Sequence, residues 1–337
     1  MTVREYIENY SPAYRGHTPG HKGKADSRDI TEILDEFPAD LVKKSEKAAG
    51  FVYGAPYFRF LTGGSSMGIK AAVLALGEDF ATDGYCHRAV TEAAELAGVN
   101  CYLTPMDMGR DGLPELTTAE RLINEMRSRG ARNAVVQYPD YYGRTPDLKR
   151  IYAAVKLEGG RLICDSAHGA HFALRPDLFP QSAVALGDVC NMSAHKTLGA
   201  MTQTAFLAAA GRYDGAKLDR ALELLGTTSP SYVLLASLES AMADGMEMRG
   251  EYDRLKAFSD AFREKYPCLK NDDFTRLVVD AGRGQGRAAA YALMEKGVAA
   301  EMYDDRYVVF ILTPYDGDEE LAALDAGVGG VIGRKGR

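Results

Sequence analysis

One lysine stands among small residues, in Ser193-Ala194-His195-Lys196-Thr197-Leu198-Gly199. A tight turn of that composition can seat a lysine beside a bound group and strip away part of its water. Partial desolvation lowers the pKa of an ammonium, and a neutral amine forms a Schiff base with an aldehyde. Alone, such a lysine is usually a solvated surface group. A second segment, Arg161-Leu162-Ile163-Cys164-Asp165-Ser166-Ala167-His168, reads as an apolar strand ending in a carboxylate. Residues two apart on a strand share a face, so Asp165 and Ala167 point the same way. A carboxylate there can pair with a protonated pyridine nitrogen, the small Ala167 lets a flat ring lie against it, and His168 can reach a phenolic oxygen on that ring. A third segment, Leu61-Thr62-Gly63-Gly64-Ser65-Ser66-Met67-Gly68, leads into a helical pattern. Glycine and serine at a helix N-terminus offer N–H groups and hydroxyls to a phosphate. Each segment alone is weak. Together, in that chain order, they describe a phosphate cradle, a pyridine partner and a Schiff-base lysine, which is what pyridoxal 5'-phosphate (PLP) requires.

The elements that would position these groups follow from hydrophobic patterning. Candidate strands are Tyr57 to Leu61, Val99 to Leu103, Asn133 to Tyr138, Arg161 to Asp165 and Thr202 to Ala208. Between them lie helical patterns at Met67 to Leu76, Ala89 to Ala97, Thr118 to Arg129 and Leu148 to Leu157. Such alternation predicts an α/β fold with a mostly parallel sheet sandwiched by helices. Ligands of such sheets sit beyond the carboxyl ends of the strands. A long helical region from Ala216 to Lys265 precedes a β-α-β pattern over Thr275 to Asp280, Gly286 to Lys296 and Arg306 to Thr313, a small C-terminal α+β domain. The expected organisation is an N-terminal arm or capping segment over 1–50, a large domain over 51–250 and the small domain over 251–337.

Bulk properties narrow the function classes. The 337 residues carry a formal charge of −7 without a basic block, which argues against nucleic acid as a partner. The five cysteines form no CxxC pair and are odd in number, which fits a reducing cytoplasm better than a disulfide framework. The N-terminus lacks a signal-peptide core and no apolar run is long enough for a membrane span. All six histidines (His17, His21, His87, His168, His171, His195) fall in Gly-, Pro- or Ser-rich turns or at strand ends, which points to a site. Gly282, Gly284 and Gly286 miss the dinucleotide pattern, with Arg287 at its last position, and the Gly63–Gly68 segment lacks a Walker lysine.

Several motifs resemble the major domain of the ornithine/lysine/arginine decarboxylase family, which are fold type I PLP enzymes. They are His17-Thr18-Pro19-Gly20-His21-Lys22, Asp29-Ile30-Thr31-Glu32, Gly64-Ser65-Ser66, Cys86-His87-Arg88, Tyr141-Tyr142-Gly143 and Asp165-Ser166-Ala167-His168-Gly169-Ala170-His171. The most specific is Ser193-Ala194-His195-Lys196-Thr197-Leu198 with Met201-Thr202-Gln203. Thr227-Thr228-Ser229-Pro230-Ser231-Tyr232, followed by Leu235-Ala236-Ser237, is also characteristic. The resemblance implies that Lys196 carries PLP, that Asp165 pairs with the pyridine nitrogen and that His87 stacks on the ring face opposite Ala167. It implies that Gly64, Ser65, Ser66, Ser193 and His195 hold the phosphate, and that Thr227 or Thr228 reaches the phosphate of a neighbouring subunit in a homodimer. Glu301 matches a position facing the distal amine of the substrate. Gly63 stands where asparagine is common, and Ala89 where a serine often follows the histidine and basic pair. Family members are usually longer, with a further C-terminal domain.

The implied reaction is loss of carbon dioxide from lysine, ornithine or arginine, the amine product being of the kind used in polyamine biosynthesis. Lys196 or a nearby histidine would return a proton to the α-carbon, and Glu301, Asp304 and Asp305 are acidic candidates for a cationic side chain. Transamination, aldol cleavage or β-elimination would use the same lysine and aspartate, although no arginine stands out in the sequence as a carboxylate clamp. A PLP-binding homologue without catalysis is a further alternative. A metal site from His168 and His171 with His17 and His21 is the remaining one. The cofactor reading already employs His168, so no metal is expected, and His17 and His21 fit an entrance loop turned by Pro19 and Gly20.

Overall fold

The computed structural model describes residues 1–31, 33 and 37–334; Glu32 of the family-like motif lies outside the described residues. The central sheet has seven strands: β1 (Tyr57–Leu61), β2 (Phe80–Thr82), β3 (Cys101–Leu103), β4 (Asn133–Gln137), β5 (Leu162–Asp165), β6 (Val189–Ser193) and β7 (Ala205–Ala209), in the order β1-β7-β6-β5-β4-β2-β3. Only β7 is antiparallel to its neighbours, β1 and β6; the pairs from β6 to β3 are parallel. Leu162, Ile163 and Cys164 have no exposed surface, as expected of strands covered on both faces. The cross-strand neighbours Cys164 and Cys190 are buried, and all five cysteines are free thiols.

The N-terminal part carries α1 (Val3–Asn9) and α2 (Phe37–Tyr53). Thr2 and Glu5 cap α1 reciprocally. Around the sheet lie α3 (Gly64–Leu76), α4 (Arg88–Ala97), α5 (Ala119–Arg129), α6 (Leu148–Leu157) and the short α7 (Ala194–Thr197). The region expected as one helical stretch is divided into α8 (Gly215–Leu225), α9 (Tyr232–Glu247) and α10 (Glu251–Lys265), with Gly226 and Pro230 breaking the first junction. The C-terminal part is a three-stranded antiparallel sheet, β8 (Arg276–Asp280), β9 (Met302–Tyr303) and β10 (Tyr307–Ile311) in the order β8-β10-β9. It is covered by α11 (Gly286–Glu295) and α12 (Asp318–Val331). No helix among the described residues is long and apolar enough to cross a membrane.

Two strands of the central sheet escape the sequence patterning, as does the two-residue β9. β2 is three residues long, and β6 carries Asn191 within its buried face. β7 begins three residues later than expected, because Gln203, at φ 75°, turns the chain ahead of it.

Candidate active site

The parallel strands end on one side of the sheet, and the segments leaving them meet around a cavity of about 350 Å³. After β1 the chain must reverse into α3. Gly64 makes that reversal at φ 73°, a conformation that disfavours a side chain. One turn on, Gly68 lies so close to Asn191 of β6 that a Cβ would collide with its side-chain oxygen. This approach brings the N-terminus of α3 to the end of β6, where the Ser193 hydroxyl donates to that of Ser65 at 2.8 Å. Gly64, Ser65 and Ser66 line one wall of the cavity, with the helix N–H groups behind them.

The opposite wall comes from β5 and α7. Asp165, the last residue of β5, is only 6% exposed. Its Oδ1 accepts two long bonds, from the Ala167 amide at 3.3 Å and the Asn191 amide group at 3.5 Å. Burial pushes its carboxyl above the usual range, against the opposing pull of His87 and Lys196. No basic side chain among the described residues forms an ion pair with it. Lys196 projects from α7 with its Nζ 3.1 Å from His168 Nε2. Burial lowers the lysine pKa, Arg276 lowers it further and Asp165 acts in the other direction. His168 is held well below its ordinary value by burial first and then by the Arg276 and Lys196 charges.

His87 caps the N-terminus of α4, accepting at Nδ1 from the Ala89 amide at 3.1 Å, and lines the cavity together with Ala89 and Ala167. His195 lines it beside Lys196 and is oriented by the Thr204 carbonyl at 2.8 Å. Gly64, Ser65, Ser66, His87, Asp165, Ala167, His168, His195 and Lys196 therefore line one cavity, and Ser193 is bonded to its Ser65. Glu301 lies outside the lining, exposed at the start of the segment leading into β9. It accepts at 2.7 Å from the hydroxyl of Tyr141, which does line the cavity and packs edge-on against His168. Asp304 pairs likewise with the Tyr142 hydroxyl at 2.7 Å. Thr227 and Thr228 lie away from this cavity, exposed between α8 and α9, where Thr227 Oγ1 accepts from the Ser229 amide.

His171 does not share the placement suggested by the histidine pattern. It is 1% exposed, packed among Phe172, Phe179 and Tyr252, and faces Asp273 at 3.4 Å. His17 and His21 lie in the N-terminal segment, bonded to Tyr10 and Asp29. One arginine does stand out in the fold: Arg276, the first residue of β8. It is fully buried and its Nη2 stands 2.6 Å from His168 Nδ1. Charge at the edge of an otherwise apolar strand looks in sequence like a solvated end. Only the packing of β8 over the turn after β5 buries it.

Comparison with known proteins agrees with this architecture. The family profile "Orn/Lys/Arg decarboxylase, major domain" matches residues 26–273. The Bacillus subtilis "Uncharacterized protein YaaO" is 27% identical over 323 residues, 88% of this chain and 67% of that one. The arginine decarboxylase of Bacillus subtilis is 29% identical over 252 residues, 67% of this chain and 51% of that one, so the chain spans about half the length of that relative. Among solved structures, the constitutive lysine decarboxylase of E. coli superposes with a TM-score of 0.79 at 16% identity, covering 97% of this chain and 59% of that one. The Sphingomonas wittichii serine palmitoyltransferase superposes with a TM-score of 0.67 at 14% identity, over 86% of this chain and 76% of that one. The fold is that of the fold type I enzymes.

Proposed function

The chain belongs to the Orn/Lys/Arg decarboxylase family through its major domain, and from that premise we propose that it is a PLP-dependent decarboxylase of a basic amino acid. The observation that carries this reading is the convergence of Lys196, Asp165 and the serine-rich start of α3 on one cavity at the carboxyl ends of the parallel strands. The residues present fit the cofactor. A buried carboxylate that forms no ion pair among the described residues suits a protonated pyridine nitrogen. A lysine with a depressed pKa suits an aldehyde, and a helix N-terminus with two serines suits a phosphate.

When bound, PLP supplies an aldehyde for the substrate amine and a ring that draws electrons from the α-carbon as carbon dioxide leaves. The protein's own groups prepare this. Asp165 would keep the ring nitrogen charged. His87 and Ala167 would hold the two faces of the ring, and Ser65, Ser66, Ser193 and His195 the phosphate. Tyr141 and Glu301 at the rim would receive the distal cation of lysine, ornithine or arginine. Thr227 and Thr228, exposed and away from their own cavity, suit a contact with the phosphate of a second subunit in a homodimer. A cytoplasmic setting agrees with five free cysteines.

The test is carbon dioxide release by PLP-loaded protein given each of the three amino acids separately, with visible absorbance recorded alongside. Release from one of them, lost by at least about a thousandfold in Lys196→Ala, is expected. A spectral change without release would replace decarboxylation by another PLP reaction, and no cofactor absorbance would overturn the proposal.

A further inference from the structure

Behind Lys196 runs a buried chain of polar groups that joins the two sheets. Lys196 Nζ lies 3.1 Å from His168 Nε2, and His168 Nδ1 lies 2.6 Å from Arg276 Nη2. A guanidinium nitrogen has hydrogens to give and no lone pair to receive with, and it keeps its charge at any accessible pH. At 2.6 Å the contact is a hydrogen bond only if Nδ1 accepts. A neutral imidazole that accepts at one nitrogen carries its proton on the other. His168 therefore carries its proton on Nε2, directed at Lys196, and Lys196 receives it with the lone pair of a neutral amine.

We infer that Arg276 is a positioning residue that locks His168 as the neutral Nε2–H tautomer, a fixed hydrogen-bond donor to the Lys196 side of the cavity. The consequence rests on the decarboxylase reading above. To act as an acid toward the α-carbon, His168 would first have to become an imidazolium. That requires a proton on Nδ1, in the place occupied by Arg276 Nη2. His168 is thereby removed from the histidines of the cavity that could return a proton beside Lys196, which leaves Lys196, His87 and His195. The surroundings agree. The groups that bear on His168 are Arg276 from β8, Lys196 from α7, His87 from the start of α4 and His171 from the turn after β5. None of them is a carboxylate, so none favours a second proton on the ring. The Tyr141 ring closes the remaining side at a centroid distance of 4.5 Å. Arg276 is itself held from below: its Cγ and Cβ pack where Gly143 leaves room, and a side chain at Gly143 would displace it.

The experiment is nitrogen-15 spectroscopy of histidine-labelled protein without cofactor, with His168 assigned by comparison with His168→Gln. The expected spectrum has a protonated Nε2 and an unprotonated Nδ1, unchanged from about pH 5.5 to 9. A protonated Nδ1, or a His168 that titrates in the ordinary histidine range, overturns the inference in the wild-type protein alone. In Arg276→Met, provided the variant keeps the wild-type thermal transition, His168 is expected to titrate or to mix tautomers. In Arg276→Lys, which restores a donor, the single tautomer is expected to return. A His168 unaffected by Arg276→Met would assign the tautomer to some other cause and also overturn the inference. The reading needs no cofactor and no turnover. Failure of the decarboxylase proposal would appear in the gas-release assay, whereas failure of this one appears in the imidazole signals.

Discussion

Two carboxylates near the same cavity stand in opposite settings. Asp165 sits on its floor at the end of a strand covered on both faces, with an amide and an amide side chain as its hydrogen-bond partners among the described residues. Glu301 sits on its rim, exposed, and engaged with Tyr141. A carboxylate in water is already satisfied and gains little from one more partner, while a buried one is far from satisfied until a cation arrives. On the function proposed above, the floor would hold a fixed charge on a bound ring, and the rim would sort substrates by a weak, exchangeable contact.

The contrast can be tested at each position. Asp165→Asn removes the floor charge, and a fall in kcat of roughly a hundredfold or more is expected with the cofactor still bound, as read by absorbance and turnover together. A loss confined to KM would erase the distinction between floor and rim. Glu301→Gln should act the other way, raising KM for the preferred basic amino acid by about tenfold with kcat little changed, as read by steady-state kinetics. A third carboxylate separates burial from chemistry. Glu46 on α2 is buried, accepts from the Phe60 amide at 2.8 Å, and is pushed up to about 7, by burial first, outside the cavity lining. Its folded pKa lies above the unfolded one, so the folded state holds the extra proton, and stability falls as pH rises from about 4.5 through 7. Glu46→Gln removes that slope. The variant should exceed the wild type by on the order of 2 kcal/mol at pH 8 and match it near pH 5, measured by denaturant unfolding, with kcat unchanged.

The floor was legible in the sequence and the rest much less so. Lys196, Asp165 and the serines of α3 announce themselves because each stands next to small residues at the end of an apolar run, a local pattern. Helix α6 falls where its periodicity predicts, and β1 likewise. What stayed hidden depends on contacts between distant parts of the chain. Arg276 meets His168 across 108 residues, and nothing in the Arg276–Asp280 run marks its first residue as interior. His171 belongs to the same tract as His168, yet the short helical turn after β5 carries it away from the cavity into an aromatic cluster. Strand β6 was missed for a related reason: Asn191, polar in sequence, is wholly buried beside Gly68 and Asp165.

The cross-strand thiols of Cys164 and Cys190 give the floor a clock. Both are buried, and burial raises both thiol pKa values, so neither offers the thiolate that an alkylating reagent attacks. Each lies in a strand that ends at the cavity, Cys164 immediately before Asp165. Modification of either must wait until β5 and β6 part. The rate of thiol labelling then reports how often the floor of the cavity comes undone, in seconds or hours, without reference to cofactor, substrate or turnover.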